Sequence, residues 1–156
     1  MTPGVEQARA AGIAHQIHNY AHDPASAAYG LEAAEKLGLP PARVFKTLVV
    51  ALDTRQLVVA VIPVACSLDM KRLARAAGAK KAAMAGKAEV MRSTGYVLGG
   101  VSPLGQKKRL PTYVDASAGG FDTIYVSAGR RGLEIELAAD DLCALTDAAY
   151  AELCAA

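Results

Sequence analysis

The 156-residue chain has no tryptophan, and aromatic residues of all kinds make up only 5% of it. Its core must therefore be built mainly from alanine, valine, leucine and isoleucine. No stretch approaches the roughly 20 apolar residues that a membrane-spanning helix needs, because Pro63 interrupts the longest apolar run, 57–66. The first residues also lack the basic and then apolar segments of a signal peptide. We therefore expect a cytoplasmic protein with no membrane partner.

Cysteine and histidine are too sparse to indicate a metal site. The three cysteines, Cys66, Cys143 and Cys154, are odd in number and lack metal-binding spacing, so we expect reduced thiols. His15 and His18 fall on opposite faces of a predicted strand and cannot chelate one metal together. A Walker-type phosphate loop and a Ser/His/Asp arrangement are also missing. The sequence thus predicts no metal, no cofactor and no nucleophile supplied by the protein.

Helices and strands are interspersed along the chain without strict alternation, which favours an α+β fold. Periodicity and turn residues predict helices at 3–11, 26–37, 70–77 and 87–93, and a last helix that begins near 140. They predict strands at 13–20, 44–52, 57–64, 82–84, 112–115, 123–128 and 133–137. Ser67 or Asp69 is expected to cap the third helix. Neither a repeat nor a linker is visible, so we expect a single domain over 1–156.

Positive charge is concentrated in one part of the chain. The segment 71–111 holds ten lysines or arginines and one acid, Glu89, which gives it a charge of +9. Because the whole chain carries +2, the rest carries −7. A bias this local suggests a face for a polyanion. With few aromatic residues to stack on bases, we expect contacts to a phosphate backbone.

The segment from Arg92 to Leu110 concentrates four glycines, one proline and three consecutive cations around a short apolar stretch, 96–98. Glycine costs backbone entropy, so such a cluster needs a reason. One interpretation is a pair of tight turns that flank a strand at 96–98. The other is a backbone that lets a ligand approach, with N–H groups turned toward an oxyanion or a phosphate. The adjacent cations favour the second interpretation.

Lys46 stands out because it lies inside V-F-K-T-L-V-V-A-L, a run that is otherwise typical of a central strand. Alternation would place Lys46 on one face with Leu48 and Val50. A lysine there is costly unless it is paired or faces a cleft. A cleft lysine and an ordinary lysine near a strand end both fit the residues alone.

Several blocks stand in order along the chain: Q-I-H-N-Y-A-H-D-P at 16–24, V-F-K-T-L at 44–48, G-A-K-K-A-A-M-A at 78–85, the segment from Arg92 to Leu110, and T-I-Y-V-S-A-G-R-R-G-L-E-I-E-L at 123–137. In these blocks and in their spacing the chain resembles the YbaK-type Cys-tRNA(Pro) deacylases, which share a family with the editing domain of prolyl-tRNA synthetase. The resemblance implies a mixed sheet curled into a barrel with helices packed outside.

The resemblance also implies a trans-editing aminoacyl-tRNA deacylase that removes cysteine mischarged onto tRNA(Pro), and also acts on Cys-tRNA(Cys), with prolyl-tRNA synthetase as a partner. In the implied mechanism the thiol of the misattached cysteine attacks its own ester and leaves as a cyclic thiolactone. The protein then needs only to bind, orient and stabilise the oxyanion. An Ala-tRNA(Pro) deacylase of the same fold and a non-catalytic tRNA- or synthetase-binding module remain as alternatives.

The resemblance also implies roles for individual residues of this chain. The catalytic candidates are Lys46, which would hold the terminal phosphate or ribose, and Gly99, whose backbone would contact the substrate carbonyl. The expected substrate-binding residues are Tyr20, Thr47, Gly100, Ser127 and Glu134, with Glu136 as a same-face rival of Glu134. The expected tRNA contacts are Arg92, Lys107, Lys108 and Arg109.

Overall fold

The computed structural model describes residues 1–26 and 28–156, and in them eight strands are interspersed with five α-helices. The helices are α1 Pro3–Ala11, α2 Tyr29–Leu37, α3 Met70–Ala76, α4 Lys87–Thr94 and α5 Ala139–Thr146, and a short 3₁₀-helix covers Ala116–Gly120. The strands are β1 His15–Asn19, β2 Phe45–Leu52, β3 Leu57–Pro63, β4 Ala82–Met84, β5 Thr112–Asp115, β6 Ile124–Arg130, β7 Leu133–Leu137 and β8 Ala149–Ala151. The predicted α+β class is confirmed.

The helix ends follow the local signals in the sequence. Thr2 caps α1 by accepting the Val5 N–H, and Gly12 ends that helix in the left-handed conformation at φ 67°. Of the two candidate caps of α3, Asp69 is the one used, because its carboxylate accepts the N–H groups of Lys71 and Arg72. The predicted second helix began at 26, whereas α2 begins at Tyr29; residue 27 lies outside the described residues.

The strands form two sheets. The hairpin of β2 and β3 is the centre of a five-stranded sheet of order β4-β2-β3-β5-β8, in which β5 runs parallel to β3. A three-stranded antiparallel sheet has the order β1-β7-β6. The main core lies between the two sheets and α1 and α5, and a second cluster, which includes Val50, Ile62 and Leu73, covers the other face of the larger sheet. Burial on both faces explains why β3 is apolar at every position.

The expected barrel is wrong, because the two sheets do not close. Closure requires a hydrogen-bonded ladder that continues around the whole sheet. Here the two sheets approach through an isolated bridge between Val44 and Tyr125, beside a hydrogen bond from the Tyr125 N–H to the Arg43 carbonyl. The fold is therefore a pair of sheets packed around a shared core.

The apolar stretch at 96–98 is not a strand, so that interpretation of the glycine-rich segment is wrong. Gly95 ends α4 in the left-handed conformation at φ 81°, and the buried Tyr96 hydroxyl donates to the Leu104 carbonyl at 2.7 Å. The chain then turns at once, because the Gly100 N–H donates to the Val97 carbonyl at 2.9 Å. Among the strands, β1 is shorter than predicted, β6 continues to Arg130 across a bulge, and the short strand β8 has no counterpart among the predicted strands.

Candidate active site

A cavity of about 380 Å³ opens between β2, the start of α2, the glycine-rich segment and the three-stranded sheet. It gathers six of the seven predicted catalytic and substrate-binding residues. Its lining includes Tyr20, Tyr29, Leu31, Phe45, Lys46, Thr47, Val64, Met84, Val90, Leu98, Gly99, Ser127 and Glu134. Residues that are far apart in the sequence therefore meet in one apolar hollow with a few polar groups, which is the usual character of a small-molecule site.

The β2 wall supplies two polar groups without a partner in residues 1–26 and 28–156. Lys46 is half-buried, and its ammonium has neither an ion pair nor a hydrogen bond among the described residues. The Thr47 hydroxyl is buried and likewise finds no hydrogen-bond partner among them. A buried hydroxyl without a partner costs free energy, so each such group in a native structure needs an explanation. A ligand in the cavity would satisfy both groups.

The three-stranded sheet contributes Glu134 to the cavity floor. Register places Glu134 opposite Ser127 on β6 and opposite His18 on β1, so the three side chains share one face. Glu134 is only 6% exposed, and burial raises the pKa of its carboxyl group to about 8. The same face carries Tyr20. Burial is the main cause that raises the pKa of its phenol, and the charge of Glu134 raises it further.

Glu136, the same-face rival, is engaged elsewhere. One oxygen accepts from His18 Nε2 at 2.8 Å, the other accepts from the Thr123 hydroxyl at 2.6 Å, and Arg43 lies 3.5 Å away. Burial alone would raise the pKa of this carboxyl group, but these hydrogen bonds outweigh it and lower the pKa. Glu134 is therefore the residue that lines the cavity, and Glu136 belongs to an outer polar cluster of His18, Arg43, Thr123, Tyr125 and Glu136.

The glycine-rich segment forms the cavity rim through Gly99 and not through Gly100. Gly99 has φ 87°, and a side chain there would collide with Arg131 at 2.6 Å and with the Tyr29 ring at 2.8 Å. Its N–H group has no acceptor among the described residues. Gly100 is buried against the Arg130 backbone, its N–H closes the turn to Val97, and it does not line the cavity. Only one of the two predicted glycines thus presents a free N–H group.

Sequence reasoning missed Tyr29, which lines the cavity, and Arg131, which contacts Tyr29 from beside it. The Arg131 guanidinium donates to the Leu98 carbonyl at 2.8 and 3.2 Å and to the Tyr29 hydroxyl at 3.0 Å. It also stacks on the Tyr29 ring, 4.3 Å from the ring centroid. The G-R-R-G sequence predicts only a turn, and the residues that meet lie 102 positions apart. The close pair of glycines at 99–100 was the one available sign that bulky groups pack there.

The predicted tRNA contacts lie outside this cavity. Arg92, Lys107 and Lys108 surround a separate recess of about 350 Å³, and Lys107, Lys108 and Arg109 border a neighbouring recess of about 320 Å³. The four cations are therefore brought together, as the charge pattern indicates. They line none of the cavity that holds Lys46 and Glu134.

Among the described residues, neither a cysteine thiol nor a cluster of metal-binding side chains lies in the cavity. None of the three cysteines lines it, and all three are free thiols. Across residues 1–26 and 28–156, no three His, Cys, Asp or Glu side chains come together in a way that could hold a metal ion. In the same part of the chain no helix is both long and apolar enough to cross a membrane.

The two-sheet α+β fold and the largely apolar cavity, with its few polar groups that have no partner among the described residues, define a domain with a binding site for a small molecule. The chain belongs to the aminoacyl-tRNA editing domain family, whose model matches residues 23–145.

Two curated proteins and one solved structure illustrate the likeness. EbsC of Enterococcus faecalis, provisionally named a Cys-tRNA(Pro)/Cys-tRNA(Cys) deacylase, is 46% identical over 77% of this chain and 73% of its own. YwhH of Bacillus subtilis, an uncharacterized protein, is 32% identical over 71% of this chain and 70% of its own. A crystal structure provisionally described as a trans-editing enzyme for prolyl-tRNA synthetase has a TM-score of 0.84 at 24% identity, and covers 100% of this chain and 99% of that one.

Proposed function

We propose that this protein is a freestanding trans-editing deacylase that removes cysteine from mischarged tRNA(Pro), and also from tRNA(Cys), working in the cytoplasm beside prolyl-tRNA synthetase as a single domain. The observation that carries the proposal is a cavity whose described lining includes unpaired donors but no cysteine thiol. The printed name of the 46% identical relative supports the choice of substrate.

The chemistry assigns the nucleophile to the substrate. The cysteine thiolate attacks the carbonyl carbon of its own ester, the bond to the tRNA ribose oxygen breaks, and that oxygen takes up a proton. The new bond joins the sulfur to the carbonyl carbon, so cysteine leaves as a four-membered cyclic thiolactone. A thiol suits this role, because it titrates near pKa 8.5 and its thiolate is a strong nucleophile.

The residues of the cavity have separate tasks in this reaction. The free Gly99 N–H donates to the oxyanion that develops on the carbonyl oxygen. Lys46 holds the terminal phosphate or ribose, and a lysine beside phosphate stays protonated, so it does not act as a base. Tyr20, Thr47 and Ser127 bound the space for the aminoacyl group.

Glu134 suits the α-ammonium group of the substrate. In the free protein its carboxyl group is largely protonated at neutral pH, because its pKa is about 8. A cationic amine placed beside it would favour the carboxylate and form an ion pair. The four cations Arg92, Lys107, Lys108 and Arg109 would meanwhile hold phosphates of the tRNA body outside the cavity.

The test is single-turnover deacylation of one tRNA(Pro) that carries cysteine, serine, alanine or S-alkylated cysteine. We expect Cys-tRNA(Pro) to react more than about a hundredfold faster than the others, beyond what apolar pocket fit alone can achieve, and to release the thiolactone. Comparable rates for serine or S-alkylated cysteine would mean that an activated water, and not the substrate thiol, is the nucleophile. A preference for alanine would indicate the Ala-tRNA(Pro) deacylase, and tRNA binding without any cleavage would indicate a binding module.

A further inference from the structure

The mouth of the cavity carries an unusual set of exposed apolar side chains. Leu31 on α2, Met84 on β4 and Leu98 in the glycine-rich segment all line the cavity, and yet they are 49%, 51% and 42% exposed. Exposed apolar groups that come together around a cavity, rather than singly, mark a surface that is covered in the working complex.

An ordered arginine lies beside this mouth and contacts two of its lining residues, Tyr29 and Leu98. Arg131 is exposed, but three hydrogen bonds and the Tyr29 ring hold its guanidinium in one position. A planar guanidinium held in this way offers a flat surface for stacking at little further entropic cost. Gly99 makes the arrangement possible, because any side chain there would displace both Arg131 and Tyr29.

We propose that Leu31, Met84, Leu98 and the Tyr29–Arg131 stack form the subsite for the 3′-terminal adenine base of the tRNA. This inference rests on the proposed function. If the aminoacyl group occupies the cavity, its ester bond fixes the terminal ribose at the opening and the base within a few ångströms of it. Unpaired bases at RNA ends are recognised by stacking on aromatic side chains and guanidinium planes, with apolar side chains around them.

The subsite is distinct from the basic recesses. Those recesses present Lys107 and Lys108 and suit phosphates, whereas the mouth presents apolar side chains and one arginine already engaged with the protein. The expected contribution of the mouth is therefore recognition of a base. Replacing a single stacking partner should lower kcat/KM about tenfold.

The first experiment compares two esters of cysteine, the methyl ester and 2′(3′)-O-cysteinyl-adenosine, with wild type, Met84→Ser, Arg131→Lys and the matched control Met91→Ser. Met91 is 43% exposed on α4 and does not line the cavity. We expect Met84→Ser and Arg131→Lys to lower kcat/KM about tenfold on cysteinyl-adenosine only, and Met91→Ser to change neither. Equal losses on both esters, or no loss on either, would overturn the subsite.

A second measurement does not depend on the small esters being cleaved. AMP should inhibit cleavage of Cys-tRNA(Pro) by the wild type about tenfold better than ribose 5-phosphate does, and Met84→Ser should abolish that advantage. Equal inhibition by the two compounds in the wild type would overturn the inference while leaving the deacylase intact. A wild-type protein that cleaves no Cys-tRNA(Pro) would instead refute the proposed function.

Discussion

The cavity and the outer polar cluster lie on the same face of the three-stranded sheet, but they differ in whether their polar side chains have hydrogen-bond partners. In the outer cluster, Glu136 accepts hydrogen bonds from His18 and Thr123, and Arg43 lies close by. In the cavity, Glu134 and the Thr47 hydroxyl are buried and find no hydrogen-bond partner in the part of the chain that the structure describes. The paired cluster stabilises the fold, whereas the unpaired groups cost stability and remain available to a ligand.

The largest expected effect concerns Glu134 and pH. Burial raises the pKa of its carboxyl group from an ordinary 4.5 to about 8 in the folded protein, so between these pH values the folded state holds a proton that the unfolded state has lost. The free energy of unfolding therefore falls as pH rises, by roughly 5 kcal/mol for this group. Glu134→Gln should remove that fall. Urea unfolding at pH 4.5 and pH 8.5 would measure it, and parallel changes in both proteins would contradict the assignment.

Glu136→Gln should behave in the opposite way. Hydrogen bonds lower the pKa of Glu136, so its stabilisation is fully present above pH 4.5 and is lost as pH falls through the folded-state value. At pH 7 we expect this variant to lose about 2 kcal/mol, because charge-assisted bonds to His18 and Arg43 disappear. The deficit should shrink in acid. A deficit that stays constant down to pH 3 would mean that packing, and not charge, is responsible.

The two glutamates also show where sequence reasoning ends. Alternation places Glu134 and Glu136 on one face, and only the tertiary structure decides which of them meets Arg43 and which lines the cavity. The hairpin of β2 and β3 and the ends of α1 were predictable, because β-branched runs, caps and glycines act locally. The Arg131–Tyr29 stack was not, because it joins elements 102 residues apart and depends on the space that Gly99 leaves.

The next comparison is between two lysines, the half-buried Lys46 in the cavity and the exposed Lys71 outside it. Lys46→Ala should fold normally and lower kcat/KM on Cys-tRNA(Pro) at least about tenfold, because one charge-assisted contact to phosphate is worth about 1.5–3 kcal/mol. Lys71→Ala is the control, since Lys71 is exposed on α3 and does not line the cavity. Single-turnover assays on both variants would measure the effect. Wild-type kcat/KM in a folded Lys46→Ala protein would remove Lys46 from the site.

The smallest effect compares two threonines. Thr47 buries a hydroxyl that has no partner among the described residues, so Thr47→Val should stabilise the protein by about 1 kcal/mol. The same change should lower activity, because the hydroxyl that would bond to the substrate is gone. Thr123 donates to Glu136 and accepts from Arg43, so Thr123→Val should destabilise it by about 1 kcal/mol and leave turnover close to normal. Thermal unfolding and deacylation assays on the pair would measure both. If Thr47→Val were destabilising, the hydroxyl would have a partner in the free protein, and the contrast between an unpaired cavity and a paired cluster would fail at that position.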